Sequence, residues 1–169
     1  MQLERLILIR HAHREVSDRS QDNGLSSKGK QQARLLHRFF NRRFSPSHSQ
    51  DLVKADWVLY SSPKLRCVQT LEPWQEGSGL KVEVKEELDE QRPGEVGEDF
   101  IERVRDALNF LAAMSPSKNV ILCSHGDWLP VAAHILTGCS VELKKGAWLE
   151  LEPALDQWRL RWLVQKLYD

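Results

Sequence analysis

The sequence of 169 residues lacks any excess of charge, because 24 lysines and arginines balance 24 aspartates and glutamates. Proteins bind nucleic acids and anionic membranes through a surplus of basic residues, so the balance argues against both partners. It does not show where individual charges gather in the fold.

Long apolar runs and paired cysteines are also lacking. No stretch approaches the roughly 18 uninterrupted apolar residues of a membrane helix, and residues 1–5 lack the pattern of a secretion signal. The cysteines are odd in number and include no Cys-x-x-Cys pair, which indicates buried free thiols rather than a disulfide framework or zinc site: Cys67, Cys123 and Cys139. We therefore expect a cytoplasmic protein.

The composition that is present is that of an ordinary globular protein. Hydrophobic residues make up 41% and charged residues 28% of the chain, which excludes a disordered or low-complexity protein. The length and the absence of repeats and linkers predict a single domain over residues 1–169.

Hydrophobic periodicity alternates between strand and helix along the chain. Short apolar runs at 6–9, 57–60 and 119–123 predict buried strands, and 80–84 predicts an edge strand. Helices are predicted over 27–43 with a break at 45–49, from Pro63, over 98–114 and over 127–136. Residues 147–151 and 157–164 alternate like an antiparallel hairpin. The pattern predicts a three-layer α/β/α sandwich with a mostly parallel central sheet and an antiparallel C-terminal hairpin.

Polar residues cluster directly after each buried strand. They are Arg10, His11 and Arg14 after the first, Ser61, Ser62 and Arg66 after the second, and Ser124, His125 and Gly126 after the third. Ligands of open parallel sheets bind at the carboxyl ends of the strands, so these side chains are expected to converge.

Such a cluster has a narrow chemical meaning. The guanidinium group is a planar, permanently charged fork that fits the oxygens of a phosphate. A neutral imidazole nitrogen is a nucleophile that can accept a phosphoryl group, and fixed cations stabilise the charge on that group during transfer. The residues therefore predict a phosphoryl site.

Four ordered segments resemble the histidine phosphatase, or phosphoglycerate-mutase-like, superfamily. They are LIRHA at 8–12, similar to the Arg-His-Gly opening; LSSKGKQQA at 25–33; YSSPKLRCVQT at 60–70, similar to Ser-Ser-Pro-x-x-Arg-x-x-Gln-Thr; and CSHG at 123–126. The resemblance runs from residue 5 to about residue 136. It implies the superfamily's fold and a phosphatase, with its small phosphohistidine phosphatases most similar.

The resemblance also implies roles for individual residues. His11 would be the nucleophile, Arg10 and Arg66 would hold the phosphate oxygens, and His125 would be a further donor to them. No metal or cofactor is then expected. The second ring nitrogen of His11 should be held as N–H by a carbonyl or hydroxyl, for which the Gly126 backbone is a candidate.

The general acid is less defined. In many members of the superfamily a Leu-x-Glu segment supplies it, and Glu90 has that position here, although an exposed surface carboxylate is an equal alternative. Asp89 and Asp127 are further candidates.

Two departures from the family pattern bear on the substrate. Ala12 replaces the usual glycine, as in small phosphohistidine phosphatases, and Arg14 and Ser17 replace the Ser and Asn of the mutases. Arg14 would add positive charge at the mouth. The favoured partner is a phosphorylated protein carrying phosphohistidine. The alternatives are a small phosphate ester acted on by a broad phosphomonoesterase or mutase, and a phosphate- or phosphopeptide-binding module without catalysis; the oligomeric state stays open.

Other candidates carry weaker predictions. His13 is expected to point away from the site, and a metal site from His11, His13, Cys123 and His125 lacks a specific ligand spacing. The tryptophans at 148, 158 and 162 are expected in the core or at a dimer contact rather than as a stacking surface for a ligand.

Overall fold

Six strands form one sheet in the computed structural model, which describes residues 3–17, 21–44, 57–114, 119–155 and 157–167. The strands are β1 (Arg5–Arg10), β2 (Trp57–Ser61), β3 (Val82–Val84), β4 (Asn119–Ser124), β5 (Trp148–Ala154) and β6 (Gln157–Val164). Their order across the sheet is β3-β2-β4-β1-β5-β6. The first four are mutually parallel, whereas β5 is antiparallel to β1 and to β6.

Four helices follow the predicted amphipathic segments: α1 (Ser27–Phe44), α2 (Leu65–Ser78), α3 (Gly97–Met114) and α4 (Trp128–Thr137). The Ser26 hydroxyl caps α1 by accepting from the Gly29 N–H at 3.2 Å, and the Asp127 carboxylate accepts from the Trp128 N–H at the start of α4. Helix α4 ends at Gly138, whose φ of 72° places it in the left-handed region that glycine adopts freely.

The two faces of the sheet bury different helices. Because side chains alternate along a strand, Leu6 and Leu8 of β1 pack with α3 and α4, and Ile7 and Ile9 pack with α1 and α2. None of these four side chains is more than 3% exposed. The covering of both faces explains why β1 and its neighbours are continuous apolar runs.

The predicted three-layer sandwich is therefore confirmed, including the parallel centre and the C-terminal hairpin. Several boundaries differ from the prediction by one to three residues; β5, for example, continues to Ala154. Helix α2 begins at Leu65, after Pro63, and β3 spans Val82–Val84 only, because Leu80 is buried against the core without joining the ladder. The predicted break at 45–49 lies outside the described residues.

The strand order decides where the polar residues meet. Strands β2, β4 and β1 are adjacent and parallel, so their carboxyl ends lie side by side at one edge of the sheet. None of the helices in the described ranges is long and apolar enough to cross a membrane.

Candidate active site

A cavity of about 450 Å³ opens at the carboxyl ends of β1, β2 and β4. Eight of the residues that line it were candidates from the sequence, and Lys145 was not: Arg10, His11, Arg14, Arg66, Glu90, His125, Gly126, Asp127 and Lys145. The convergence expected from three separate strand ends is thus present in the fold.

His11 lies at the base of the cavity with only 5% of its surface exposed. Its Nδ1 is 2.8 Å from the Ala12 carbonyl oxygen. A carbonyl only accepts, so this contact assigns the proton to Nδ1 and leaves the lone pair on Nε2. The carbonyl thus belongs to Ala12, and the prediction that Gly126 supplies it was wrong, because the ring folds back onto the peptide that follows it.

The surroundings of His11 keep its ring neutral. Burial is the largest cause, and the positive charges of Arg66, Arg10 and Lys145 act in the same direction, while the Ala12 carbonyl opposes them. Together they lower the pKa of His11 to about 3 from an ordinary value of 6.5. An unprotonated Nε2 is therefore available at neutral pH.

Arg66 is held at the first turn of α2 with 2% of its surface exposed. Its Nη2 is 2.7 Å from Glu90 Oε2, and its Nη1 is 3.4 Å from Asp22 Oδ1. The same Glu90 oxygen lies 3.7 Å from His125 Nδ1, so the carboxylate borders both the arginine and the second histidine. Glu90 is thereby placed at the site rather than as a remote surface carboxylate.

The other two candidate acids have structural contacts. Asp89 is nearly buried, lies 3.3 Å from Lys64 Nζ and does not line the cavity. Asp127 lines it, but its carboxylate accepts from the N–H groups of Trp128 and Gln91, which anchors the start of α4. Asp89 Oδ1 also lies 3.7 Å from His125 Nε2, on the other side of the ring. Glu90 differs from both aspartates because one of its oxygens is near Arg66 and His125 together and because it lines the cavity.

His125 is packed beside His11, with ring centroids 5.4 Å apart and 2% of its surface exposed. Its Nε2 lies 2.7 Å from the Ser62 hydroxyl, and its Nδ1 lies 3.3 Å from Arg66 Nη2. Burial first, and then the charge of Arg66, lower the pKa of His125 to about 2. A phosphoryl dianion in the cavity would act in the opposite direction and favour a ring proton.

Gly126 makes room for Arg10. A Cβ on Gly126 would lie 2.5 Å from Arg10 Cζ, so only glycine allows the guanidinium to occupy this position without a shift. The guanidinium also donates to the Leu143 carbonyl. Gly126 therefore contributes space for a cation.

The sequence matches a family with this chemistry. A sequence model of the histidine phosphatase superfamily, branch 1, matches residues 6–97 and 91–165. The chain belongs to the histidine phosphatase superfamily. No curated protein sequence matches it closely enough to be called a relative.

Solved structures of histidine phosphatases share the fold along nearly the whole chain. A mycobacterial glucosyl-3-phosphoglycerate phosphatase has a TM-score of 0.72 at 20% identity over 93% of this chain and 97% of that one. A phosphoserine phosphatase from Entamoeba histolytica has a TM-score of 0.72 at 16% identity over 94% and 95%. The candidate phosphohistidine phosphatase SixA from Agrobacterium tumefaciens has 0.67 at 21% over 95% and 97%. At these identities the likeness is one of fold.

The sequence did not assign a role to three residues of this histidine phosphatase site, although Ser62 was among the polar residues expected at the strand ends. Ser62 contacts His125, and Thr70 joins two site segments, since its hydroxyl accepts from the Ala12 N–H at 2.9 Å and donates to the Arg66 carbonyl at 2.7 Å. Both lie in the 60–70 segment, whose family pattern was a signal for them. Lys145 lies outside all four segments, so only the fold reveals it.

The remaining predictions concern residues beside the site. His13 does not line the cavity, and its Nδ1 lies 2.8 Å from the Ser26 hydroxyl. Trp148 is fully buried, Trp158 packs against the core and Trp162 is 49% exposed. In the part of the chain that the structure describes, no three His, Cys, Asp or Glu side chains gather as a metal ligand set.

The three cysteines are free in the structure; Cys67 and Cys123 are buried, as the sequence predicts, but the prediction was wrong for Cys139, which is exposed beyond the end of α4. Cys67 is fully buried behind the site, with Sγ 3.5 Å from His125 Nε2. Burial, followed by its contact with Cys123, raises the pKa of the Cys67 thiol, which disfavours a nucleophilic thiolate.

Proposed function

We propose that this chain is a phosphatase, built as a single catalytic domain, that transfers the phosphoryl group of its substrate to His11 and then to water. The observation that carries the proposal is the state of His11: a neutral ring with Nδ1 directed at the Ala12 carbonyl, in a cavity that Arg10 and Arg66 also line. Those features are what a nucleophile in phosphoryl transfer requires.

The arginines supply the electrostatic part of the reaction. The Nε atoms of Arg10 and Arg66 are both buried without a hydrogen-bond partner within the described ranges. Buried donors of this kind are costly unless something accepts from them, and phosphate oxygens are well suited to do so. We infer that the two cations replace a metal ion, and therefore expect chelators to leave the activity unchanged.

Two chemical steps follow from this arrangement. Nε2 of His11 attacks phosphorus as the bond to the leaving oxygen breaks, and Glu90 gives that oxygen its proton. Water then attacks the phosphohistidine and passes a proton to the Glu90 carboxylate, so phosphate leaves and Nε2 regains its lone pair.

Trapping the intermediate tests the covalent step. Rapid acid-free quenching followed by mass spectrometry should find one added phosphoryl group, on His11. His11→Asn should lose both the label and turnover while still binding phosphate, whereas His13→Asn should keep both. Unchanged turnover in His11→Asn would refute the mechanism.

The position of Glu90 favours a phosphate ester as the substrate, because an alkoxide leaving group needs a proton. A second candidate is a phosphorylated histidine of a protein. The mouth of the cavity supports it, since the Glu90 and Asp22 side chains there are 42% and 44% exposed and leave the site open to solvent. Protonated imidazole is already a good leaving group and would not require Glu90.

A single variant separates the two substrate classes. Glu90→Gln should lower kcat for an alkyl phosphate by about 10²–10⁴-fold, while hydrolysis of a phosphohistidine protein should change little. Glu86→Gln, in the same acidic run, is the matched control. Activity on phosphohistidine protein alone, insensitive to Glu90→Gln, would select the second candidate.

A further inference from the structure

Lys145 lines two cavities. It borders the catalytic cavity together with His11, and it also borders a second cavity of about 220 Å³ between α1 and the C-terminal residues 166–167. The second cavity, called the lysine cavity below, is lined by Lys28, Lys145, Lys166, Gln31 and Gln32, with apolar side chains behind them. The two cavities therefore have one lining residue, Lys145, in common.

The turn that carries Lys145 is fixed to the catalytic residues. The Arg10 guanidinium donates to the Leu143 carbonyl, and the Gly146 N–H donates to the His11 carbonyl at 3.1 Å. On the other side, the Gln32 amide donates to the Lys145 carbonyl at 3.4 Å. These hydrogen bonds fix the position of the Lys145 backbone relative to His11.

The charges around the two cavities are unevenly distributed. The carboxylates of the catalytic cavity belong to Glu90 and Asp127, beside His125 and Gly126. Among the described residues that line the lysine cavity there are three lysines and no carboxylate. Lysine is a compact cation with three donors, and the glutamines add amide donors, so the lining is complementary to an anion.

We propose that the lysine cavity binds a second anionic group, a carboxylate or a phosphate, carried by the same small phosphate ester whose phosphoryl group is placed on His11. The inference deepens the proposed function and rests on it for the position of the phosphoryl group. The shared Lys145 allows one molecule to reach both cavities, and tethering makes the second contact intramolecular. Lys28 and Lys166 would then determine specificity without touching the reacting phosphorus.

Matched ligands test this proposal. One series consists of ω-carboxyalkyl phosphates of increasing length, and the other of ω-hydroxyalkyl phosphates of the same lengths. At the length that spans the cavities, the carboxylate should raise kcat/KM about fivefold, mainly through KM, because each exposed ion pair contributes little. The preference should shrink at high salt, where the Debye length is short.

The variant Lys28→Glu/Lys166→Glu should remove this preference while leaving kcat/KM for the hydroxyl series unchanged. Lys30→Glu, on the same helix but outside the lysine cavity, is the control that should keep it. An equal loss for both series, or a preference that survives the double variant, would overturn the proposal.

Binding separates failure of this proposal from failure of the proposed function. Calorimetry on the His11→Asn protein measures the affinity for both series without turnover. The same measurement is made on the triple variant His11→Asn/Lys28→Glu/Lys166→Glu. If the carboxylates bind more tightly to His11→Asn but not to the triple variant, the lysine cavity binds the second anionic group, even if no ester is hydrolysed. Equal affinities for the two series would reject it even if phosphohistidine forms on His11.

Discussion

Two clusters of buried charge show how differently the same residue types are used in this molecule. In the catalytic cluster, defined by Arg10, Arg66, His11 and His125, burial and positive charge keep both rings neutral, and both arginine Nε atoms lack a partner within the chain as described. In the second, which we call the Glu150 cluster, a fully buried carboxylate is paired with two arginines.

The Glu150 cluster pairs its single carboxylate with cations from its own chain. Arg5 Nε and Arg43 Nη2 lie 3.1 Å and 2.7 Å from the Glu150 oxygens, and the guanidinium groups also lie over the rings of Phe44 and Trp162. Such an arrangement ties α1 to the sheet. Both Glu150 oxygens have an arginine within ion-pair distance, although neither makes a hydrogen bond within the described ranges. The comparison indicates that a buried carboxylate paired with arginines supports the fold, whereas the arginines of the catalytic cluster are positioned for an anion.

Replacing one arginine of each cluster by lysine should give the largest difference in kcat/KM between the two clusters. Arg66→Lys removes the planar fork from the phosphate site, so kcat/KM should fall by about 10²–10³-fold. Arg43→Lys keeps a cation near Glu150 and should leave kcat/KM unchanged. Steady-state kinetics of both proteins decide the point, and equal losses would mean that the two clusters are not functionally distinct.

Removing the Glu150 carboxylate should lower stability and leave activity unchanged. Glu150→Ala leaves two arginines without their anion and should lower the free energy of unfolding by about 2–3 kcal/mol. This loss is no larger than is usual when a buried ion pair is broken, because both arginines are partly exposed. Urea denaturation measures this change. Turnover of the folded variant should match that of the unaltered protein, and a large drop in kcat would contradict the assignment of a structural role.

Acid should destabilise the protein through the catalytic cluster. The pKa values of His11 and His125 are about 3 and about 2 in the fold, against about 6.5 when unfolded, so the unfolded chain binds more protons between these values. Stability is therefore retained above pH 6.5 and lost as the pH falls towards 3. Between pH 7 and pH 5, each of the two histidines should lower the free energy of unfolding by about 2 kcal/mol.

Denaturation at both pH values tests this expectation. His125→Asn should remove about half of the decrease in the free energy of unfolding. His134→Asn, which alters an exposed histidine of α4, should not change it. A decrease as large in His125→Asn as in the unaltered protein would assign the acid sensitivity to other groups.

The smallest expected effect concerns the residue that positions His125. Ser62→Ala removes the hydroxyl 2.7 Å from Nε2, and the loss of one hydrogen bond should lower kcat/KM about fivefold to tenfold. Ser61→Ala, whose hydroxyl donates to the Ser62 carbonyl instead, is the matched control. A positioning role also predicts a shifted pH profile for Ser62→Ala, which a purely structural loss would not produce.

Much of the fold was predictable because local patterns report burial directly. The apolar runs that became β1, β2 and β4 had to be covered on both faces, which requires helices on each side and a parallel centre. The extent of β3 was less predictable, because ladder pairing depends on the neighbouring strand.

The residues of the site were also predictable only in part. Residues that directly follow the buried strands, such as Arg10, His11 and His125, could be predicted to converge from the geometry of parallel sheets. The positions of Glu90 and Lys145 could not, because each lies on a connection whose path is set by contacts far away in sequence. Arg43 shows the same limit, because its place in the last turn of α1 does not reveal that it is paired with a buried carboxylate.

The sequence by itself determined the chemical class of the site, because arginines and histidines at three strand ends have few uses other than holding a phosphoryl group. It also determined that the chain as a whole is neutral. Only the tertiary structure decided how the charges are divided between a Glu150 cluster, in which a buried carboxylate is paired with arginines, and a catalytic cavity with cations on its walls. The reason is physical: the pKa of an ionisable group and the partner it finds depend on burial and on neighbours brought together by the fold.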